Sequence, residues 1–183
     1  MDKTFYKIDN NDEVIGFFCK IKYKKEKIPA VIIYNYLEEM KESILINNNK
    51  IELIDILYRN KEYSLTVIKI KENKNIKYIE IDDKLYKNES EMLYNKESIY
   101  ILQYMKDISV SYGIINDINK DDIIYTGNIN SKYFSIILNL SNNKLIGIHK
   151  NNKNYYNHGL FFKSIIKDYE FISSYNKNIK KMK

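Results

Sequence analysis

The sequence predicts an all-β protein closed by one late helix, and three observations carry that prediction. The apolar runs are short and rich in isoleucine and valine, such as PAVII and LTVIKI, which suits strands better than helices. Clusters of Asn, Ser and Lys punctuate them at regular intervals, as turns do. Helical spacing appears only near the end, where Ile165, Tyr169 and Ile172 fall at i, i+4 and i+7. About six strand candidates fall in each half, a count that a sandwich or a barrel satisfies equally.

At 183 residues, 44% of them hydrophobic and 14% aromatic, the chain can bury one sizeable core or two small ones. No apolar run approaches the ~20 residues that span a bilayer, and the charged start MDKTFYKIDNNDEV has no signal-peptide character. The single cysteine, Cys19, excludes an internal disulfide framework and points to a reducing, cytoplasmic location. Cys19 itself reads as a small buried hydrophobe. The net charge of +6 comes from 29 lysines and one arginine, Arg59, in a chain that is more than half Lys, Ile, Asn and Tyr. Lysines on solvated faces account for it, because a nucleic-acid interface would draw on the bidentate fork of arginine. A basic nucleic-acid-binding protein stays as the weaker alternative, and no membrane partner is expected.

In order, Val14–Ile21 is the first strand, then a charged turn at residues 22–27, then Pro29–Tyr34 with the proline at its first position. Ile44–Ile46, Ile51–Ile56 and Leu65–Ile70 follow, the first pair split by a turn from Asn47 to Lys50. Ile79–Asp83 reads as an acidic surface turn, since the alternating oxygen ligands and central glycine of a calcium loop are missing. Residues 84–97 are polar and patternless, and serve as a connection. Ser98–Tyr104, Ile108–Ile118 (with Gly113 at a bulge), Ile123–Thr126, Ile136–Leu140, Leu145–Ile148 and His158–Lys163 supply the second set of strands. Ser164 is the candidate N-cap of the last helix, which runs to Tyr175, and the basic end 176–183 is a tail.

The stretch SKYFSIILNLSNNKLIGIHK, residues 131–150, is more specific than its hairpin pattern. It resembles the C-terminal barrel of an intracellular branch of trypsin-like serine proteases, where the strand follows a lead-in close to G-x-S-G-[SG]-P. Leu65–Ile70 resembles that family's strand D-[LI]-T-[ILV]-[IL]-x-I, and Ser98–Tyr104 its I-Y-I-L-Q-Y-P. Ile32–Leu37 resembles the turn that carries the catalytic histidine, and residues 158–163 resemble its N-x-G-x-F strand. The likeness runs from about Val14 to Ile172. It implies a chymotrypsin-like double six-stranded β-barrel with a C-terminal helix: residues 1–84 as the first barrel, 85–163 as the second, and 164–183 as helix and tail.

What the resemblance implies about chemistry is a loss. The histidine position holds Tyr36, the aspartate position Ser64 and the nucleophile position Tyr133. Ser131 and Phe134 replace the glycines of the oxyanion loop, and Lys132 replaces an acidic residue between them. A triad needs a nucleophilic hydroxyl, an imidazole base and a carboxylate, so the expectation is a catalytically inactive homologue acting as a binding or scaffold module for a protein or peptide. The alternative is an active hydrolase with a rearranged site that uses Ser135 as nucleophile, His149 as base, and Asp121 or Asp122 behind it. In the family His149 and Gly159 belong to strands that wall the specificity pocket. His149, His158 and Cys19 lack metal-ligand spacing, so no zinc site is expected, and no cofactor is implied.

Overall fold

The architecture comes from a computed structural model that describes residues 5–7, 15–23, 25–39, 42–46, 49–153 and 155–168. The chain divides into two compact units, residues 1–81 and 82–183.

The first unit contains β1 (Tyr6–Lys7), β2 (Ile15–Tyr23), β3 (Glu26–Ile33), β4 (Ser43–Ile46), β5 (Asn49–Asn60), β6 (Leu65–Ile70) and β7 (Ile79–Glu80). They form a seven-stranded sheet in the order β1-β2-β3-β6-β5-β4, with β7 laid parallel on β2. Side chains from both ends of that path meet in one core. Tyr6 of β1 packs against a cluster that includes Phe18, Val31, Ile33, Ile44, Ile46 and Ile68, which curls the sheet. Several strands outrun their apolar stretches. The β2–β3 ladder continues to Tyr23↔Glu26 through lysines, because ladder hydrogen bonds join backbone groups and ask nothing of an outward side chain. Lys25, at φ 70°, makes the reversal. Pro29 is therefore inside β3 and not at its start. It faces Lys20 of β2, one residue before the β6 ladder begins at Ala30↔Lys69, so its missing N–H breaks no bond on that side. Val14, Asn47 and Asn48 lie outside the described residues.

The second unit opens with a 3-10 turn at Asp83–Tyr86 and the short helix α1 (Ser90–Leu93). Then come β8 (Ser98–Tyr104), β9 (Ile108–Asn119), β10 (Asp122–Tyr125), β11 (Ser135–Asn139), β12 (Leu145–Lys153) and β13 (Tyr156–Phe161). These six close into a barrel in the order β10-β13-β12-β11-β8-β9. Helix α2 covers residues 162–168, with Phe162, Ile165 and Ile166 buried.

Four local expectations change here. Asp82 is not surface acid: it is 1% exposed, and its carboxylate accepts from Lys84 N–H at 3.2 Å and from Asn139 Nδ2 at 2.9 Å. Asp82 N–H also donates to Leu145 O at 3.0 Å. Residues 84–97 are not a patternless connection, for Tyr94 is fully buried and packs edge-on against Phe161. Gly113 sits in regular register opposite Ile99, and the shift in the β9–β10 ladder falls at Ile124/Tyr125 instead. Ser164 is inside α2, where its hydroxyl donates to Asp121 Oδ1 at 2.6 Å, so it does not cap the helix. Tyr169 and Ile172 lie outside the described residues.

Asp82 ties the connection to the hairpin around which the second barrel is organised. Asn139 passes the link on, its Oδ1 accepting from Ser141 N–H at 3.0 Å and Ser141 Oγ at 2.8 Å. Asp82→Ala removes a cap and leaves the Asn139 amide buried without its acceptor. It should cost about 2 kcal/mol, read as a lower urea midpoint with an unchanged slope.

Candidate functional site

In the first unit the chain leaves β3 at Ile33 and bends through residues 34–39. Thr66 of β6, fully buried, holds that bend: its Oγ1 donates to Asn35 O at 2.7 Å and accepts from Leu37 N–H at 3.0 Å. Arg59 grips the next residues, Nη1 donating to Glu38 O at 2.9 Å and Leu37 O at 3.4 Å. Tyr36 lies between these two anchors, half-buried. Its ring centroid is 5.8 Å from the Arg59 guanidinium carbon and 5.6 Å from Lys61 Nζ, within cation–π range. Ser64 is exposed in the turn before β6, with φ at 49° and its N–H on Lys61 O at 3.3 Å. The bend and the turn that the resemblance singled out are thus joined through β5 and β6. Tyr36 is thus a phenol beside two cations, and position 64 carries an uncharged hydroxyl.

In the second unit, residues 131–133 form a tight turn that enters β11 at Ser135. Ser131 and Lys132 are exposed, Tyr133 is half-buried, and Phe134 is buried. Gln103 of β8 holds the turn from inside. Its Nε2 donates to Asn130 O at 2.6 Å and to Ser135 Oγ at 2.8 Å, and its Oε1 accepts Asn130 N–H at 3.2 Å. Ser135 Oγ donates in turn to Tyr133 O at 3.3 Å. Tyr104 N–H takes Phe134 O at 3.0 Å, and Tyr133 N–H goes to Asn130 O at 3.1 Å. An oxyanion hole needs free N–H groups aimed outward from a glycine-rich turn. Here Phe134, at a position where the resemblance leads one to expect glycine, is buried.

Among the described residues no hydrogen bond joins Ser135, His149 and Asp121 or Asp122 to one another. Ser135 is fully buried and engaged by Gln103 and Tyr133. His149 is 6% exposed and its Nδ1 pairs with Tyr125 Oη at 2.7 Å; its Nε2 is buried with no hydrogen-bond partner among the described residues. Burial first, and the His158 ring second, lower the His149 pKa to about 4, while burial pushes the Tyr125 phenol well up. Asp121 serves Ser164. Asp122 Oδ2 pairs with His158 Nδ1 at 2.6 Å, with Lys150 Nζ at 3.7 Å from Oδ1. Among the described residues, Asp122 therefore pairs with His158. Gly159 is the register partner of His149. A side chain there would meet Ile137 Cδ1 at 2.7 Å and Tyr125 Cε1 at 3.5 Å, so Gly159 lines the barrel interior.

Sequence reasoning passed over Gln103, Thr66 and the Asp122–His158 pair. The first had a usable signal, since Gln103 falls on the inward phase of S-I-Y-I-L-Q-Y with Ile99 and Ile101. The pair, separated by 36 positions, had none. No group of three or more His, Cys, Asp or Glu residues that could hold a metal occurs among the described residues.

The fold is that of the trypsin-like serine proteases, a chymotrypsin-like arrangement with a closed six-stranded barrel, a second sheet and a C-terminal helix. The solved structure of the HtrA-type protease AlgW with decapeptide matches 87% of this chain at a TM-score of 0.55. Identity over that match is 13%, so the likeness is one of fold, and this chain spans 51% of the AlgW chain. No protein-family model and no curated protein sequence matches the chain.

Proposed function

We propose that the chain is a catalytically inactive homologue of trypsin-like serine proteases, of the intracellular branch, and works as a binding or scaffold module for a protein or peptide in the cytoplasm. The observation that carries this is the state of the nucleophile turn. Tyr133 occupies the serine position, and Ser135, the hydroxyl a rearranged site would use, is buried and hydrogen-bonded to Gln103. A serine nucleophile needs an imidazole within hydrogen-bond reach, and among the described residues Ser135 Oγ is bonded to Gln103 and Tyr133 with no hydrogen bond to His149. Tyr36 and Ser64 supply neither imidazole nor carboxylate at the remaining positions. The cytoplasmic placement rests on the single cysteine, Cys19, buried in β2 with its thiol pKa raised by burial.

A fluorophosphonate probe tests this. The wild-type chain should remain unlabelled while a trypsin control labels stoichiometrically. The variant Tyr36→His/Ser64→Asp/Tyr133→Ser should also remain unlabelled, because Ser131 and Phe134 still stand in place of the glycines of the oxyanion loop. Wild-type labelling that disappears in Ser135→Ala would overturn the proposal in favour of the rearranged site. Labelling of the triple variant alone would show that the turn still forms an oxyanion hole.

A further inference from the structure

Residues 20–27 and 71–80 carry eight lysines, no arginine and three glutamates, a net charge of +5 within eighteen residues. The other 165 residues hold 22 basic and 21 acidic side chains. Nearly all of the chain's +6 is therefore concentrated in these two stretches, whereas a lysine-rich composition by itself would scatter the excess over every face.

The first unit brings the two stretches together. β7 lies parallel on β2 through Cys19↔Ile79 and Lys20↔Glu80. Lys20 is ion-paired with Glu72, and its Nζ stands 4.6 Å from the centroid of the Tyr78 ring. Lys27 Nζ donates to Glu80 Oε1 at 2.9 Å. Lys22, Lys25, Lys27, Lys71, Lys74 and Lys77 are all exposed, and Lys24 lies outside the described residues. Lys22 and Lys27 face each other as direct cross-strand partners, a placement of like charges that destabilises a sheet. One sign of charge gathered on one surface attracts a counter-charge and sets the sign of what docks there.

We propose that this basic surface on the β2–β3 hairpin docks an acidic segment, rich in Asp and Glu, of a partner protein; this rests on the reading of the chain as a binding module. The contacts already present favour carboxylates as the counter-charge. Lys20, Lys27 and Lys71 take Glu72, Glu80 and Glu52, the last at 3.6 Å. A nucleic-acid backbone would instead draw on the planar fork of arginine. The patch has none, and the one arginine of the chain, Arg59, is engaged by the carbonyls of Leu37 and Glu38. Glu26, Glu72 and Glu80 offset only three of the eight lysines, so carboxylates from a partner add to those of the chain without having to displace them.

Fluorescence anisotropy with a fluorescein-labelled oligoglutamate, at about 50 mM salt where screening is weak, tests this on the whole chain. The wild type should bind, and added salt should weaken the complex. Lys22→Gln/Lys25→Gln/Lys27→Gln should lower the affinity roughly tenfold or more. Lys106→Gln/Lys120→Gln/Lys167→Gln removes the same charge from exposed sites of the second unit and should leave affinity nearly unchanged. Carbodiimide cross-linking of the same peptide to the wild type needs no variant to fold, and should map to lysines within 20–27 and 71–77. Absence of binding, equal loss in the two triple variants, or cross-links spread over both units would overturn the assignment. So would tighter binding of an oligo-dT of equal charge, which would make the surface a phosphate-backbone site. Fluorophosphonate labelling of the wild type would overturn the inactive reading while leaving these binding results to stand or fall separately.

Discussion

Gly113→Ala is expected to leave the second unit without its native barrel at 25 °C. A Cβ on Gly113 would lie 1.7 Å from the backbone oxygen of Thr126 and 2.7 Å from its carbonyl carbon. That oxygen cannot swing aside as a side chain would. Thr126 N–H is bonded to Ile114 O at 3.0 Å, and Ile114 N–H reaches Thr126 Oγ1 at 3.4 Å, so both backbones are fixed. The φ of Gly113 is not positive, so the whole requirement is the close approach of two chains. Relieving it means parting β9 from the segment after β10, at a cost of about 4 kcal/mol or more against a typical domain stability of ~5–15 kcal/mol. Gly127→Ala is the control. Its Cβ would come too close only to Ile101 Cδ1, at 2.7 Å, a methyl that can rotate away, with Tyr112 O and Asn157 Nδ2 at ordinary contact distances of 3.7 and 3.9 Å, so it should lower stability by about 1 kcal/mol. Near-UV circular dichroism and urea unfolding of the two variants separate the cases. A native-like spectrum and midpoint for Gly113→Ala would show that the approach is looser than described.

Acidification should destabilise the second unit through His149. Burial disfavours the imidazolium and lowers the pKa in the folded chain from 6.5 to about 4. Between those values the unfolded chain binds a proton that the folded chain refuses. The contribution of His149 is therefore complete above pH 6.5 and is lost as pH falls toward 4. At its largest the loss is about 3 kcal/mol. His149→Gln keeps a polar group against Tyr125 and cannot titrate, so unfolding free energies at neutral and acid pH should differ less for the variant by about that amount. Equal pH dependence in both proteins would mean that His149 is protonated in the folded barrel, or that another group dominates.

Much of the strand pattern was legible because short β-branched runs between Asn-rich turns have few other uses. Leu65–Ile70 and Ser98–Tyr104 emerged with the same ends in sequence and structure. Other boundaries moved outward, as in β5, which extends to Asn49 and Asn60. Their polar ends still pair through the backbone, which hydrophobic patterning does not see. The proposed loss of a triad at Tyr36, Ser64 and Tyr133 rests on the resemblance. Nothing in the composition would have singled out those three. Asp82 was misjudged for a related reason. An acidic run reads as surface until a partner far along the chain, Asn139, is known to receive it.

By itself, then, the sequence determined the class of the fold, many of the turns and the burial of Cys19, because each depends on residue type over a short span. The tertiary structure alone decided where each polar group spends its hydrogen bonds. Gln103 takes Ser135, Tyr125 takes His149 and Asp122 takes His158, pairings between residues 24 to 36 positions apart. Closing a barrel brings such residues onto neighbouring strands, and the register that does so is a property of the whole ladder. The same register turns Val110, Tyr112 and Ile114 outward and Ser109, Ser111 and Gly113 inward. A one-residue slip would exchange the two faces, so only the assembled sheet could show that this apolar strand faces solvent.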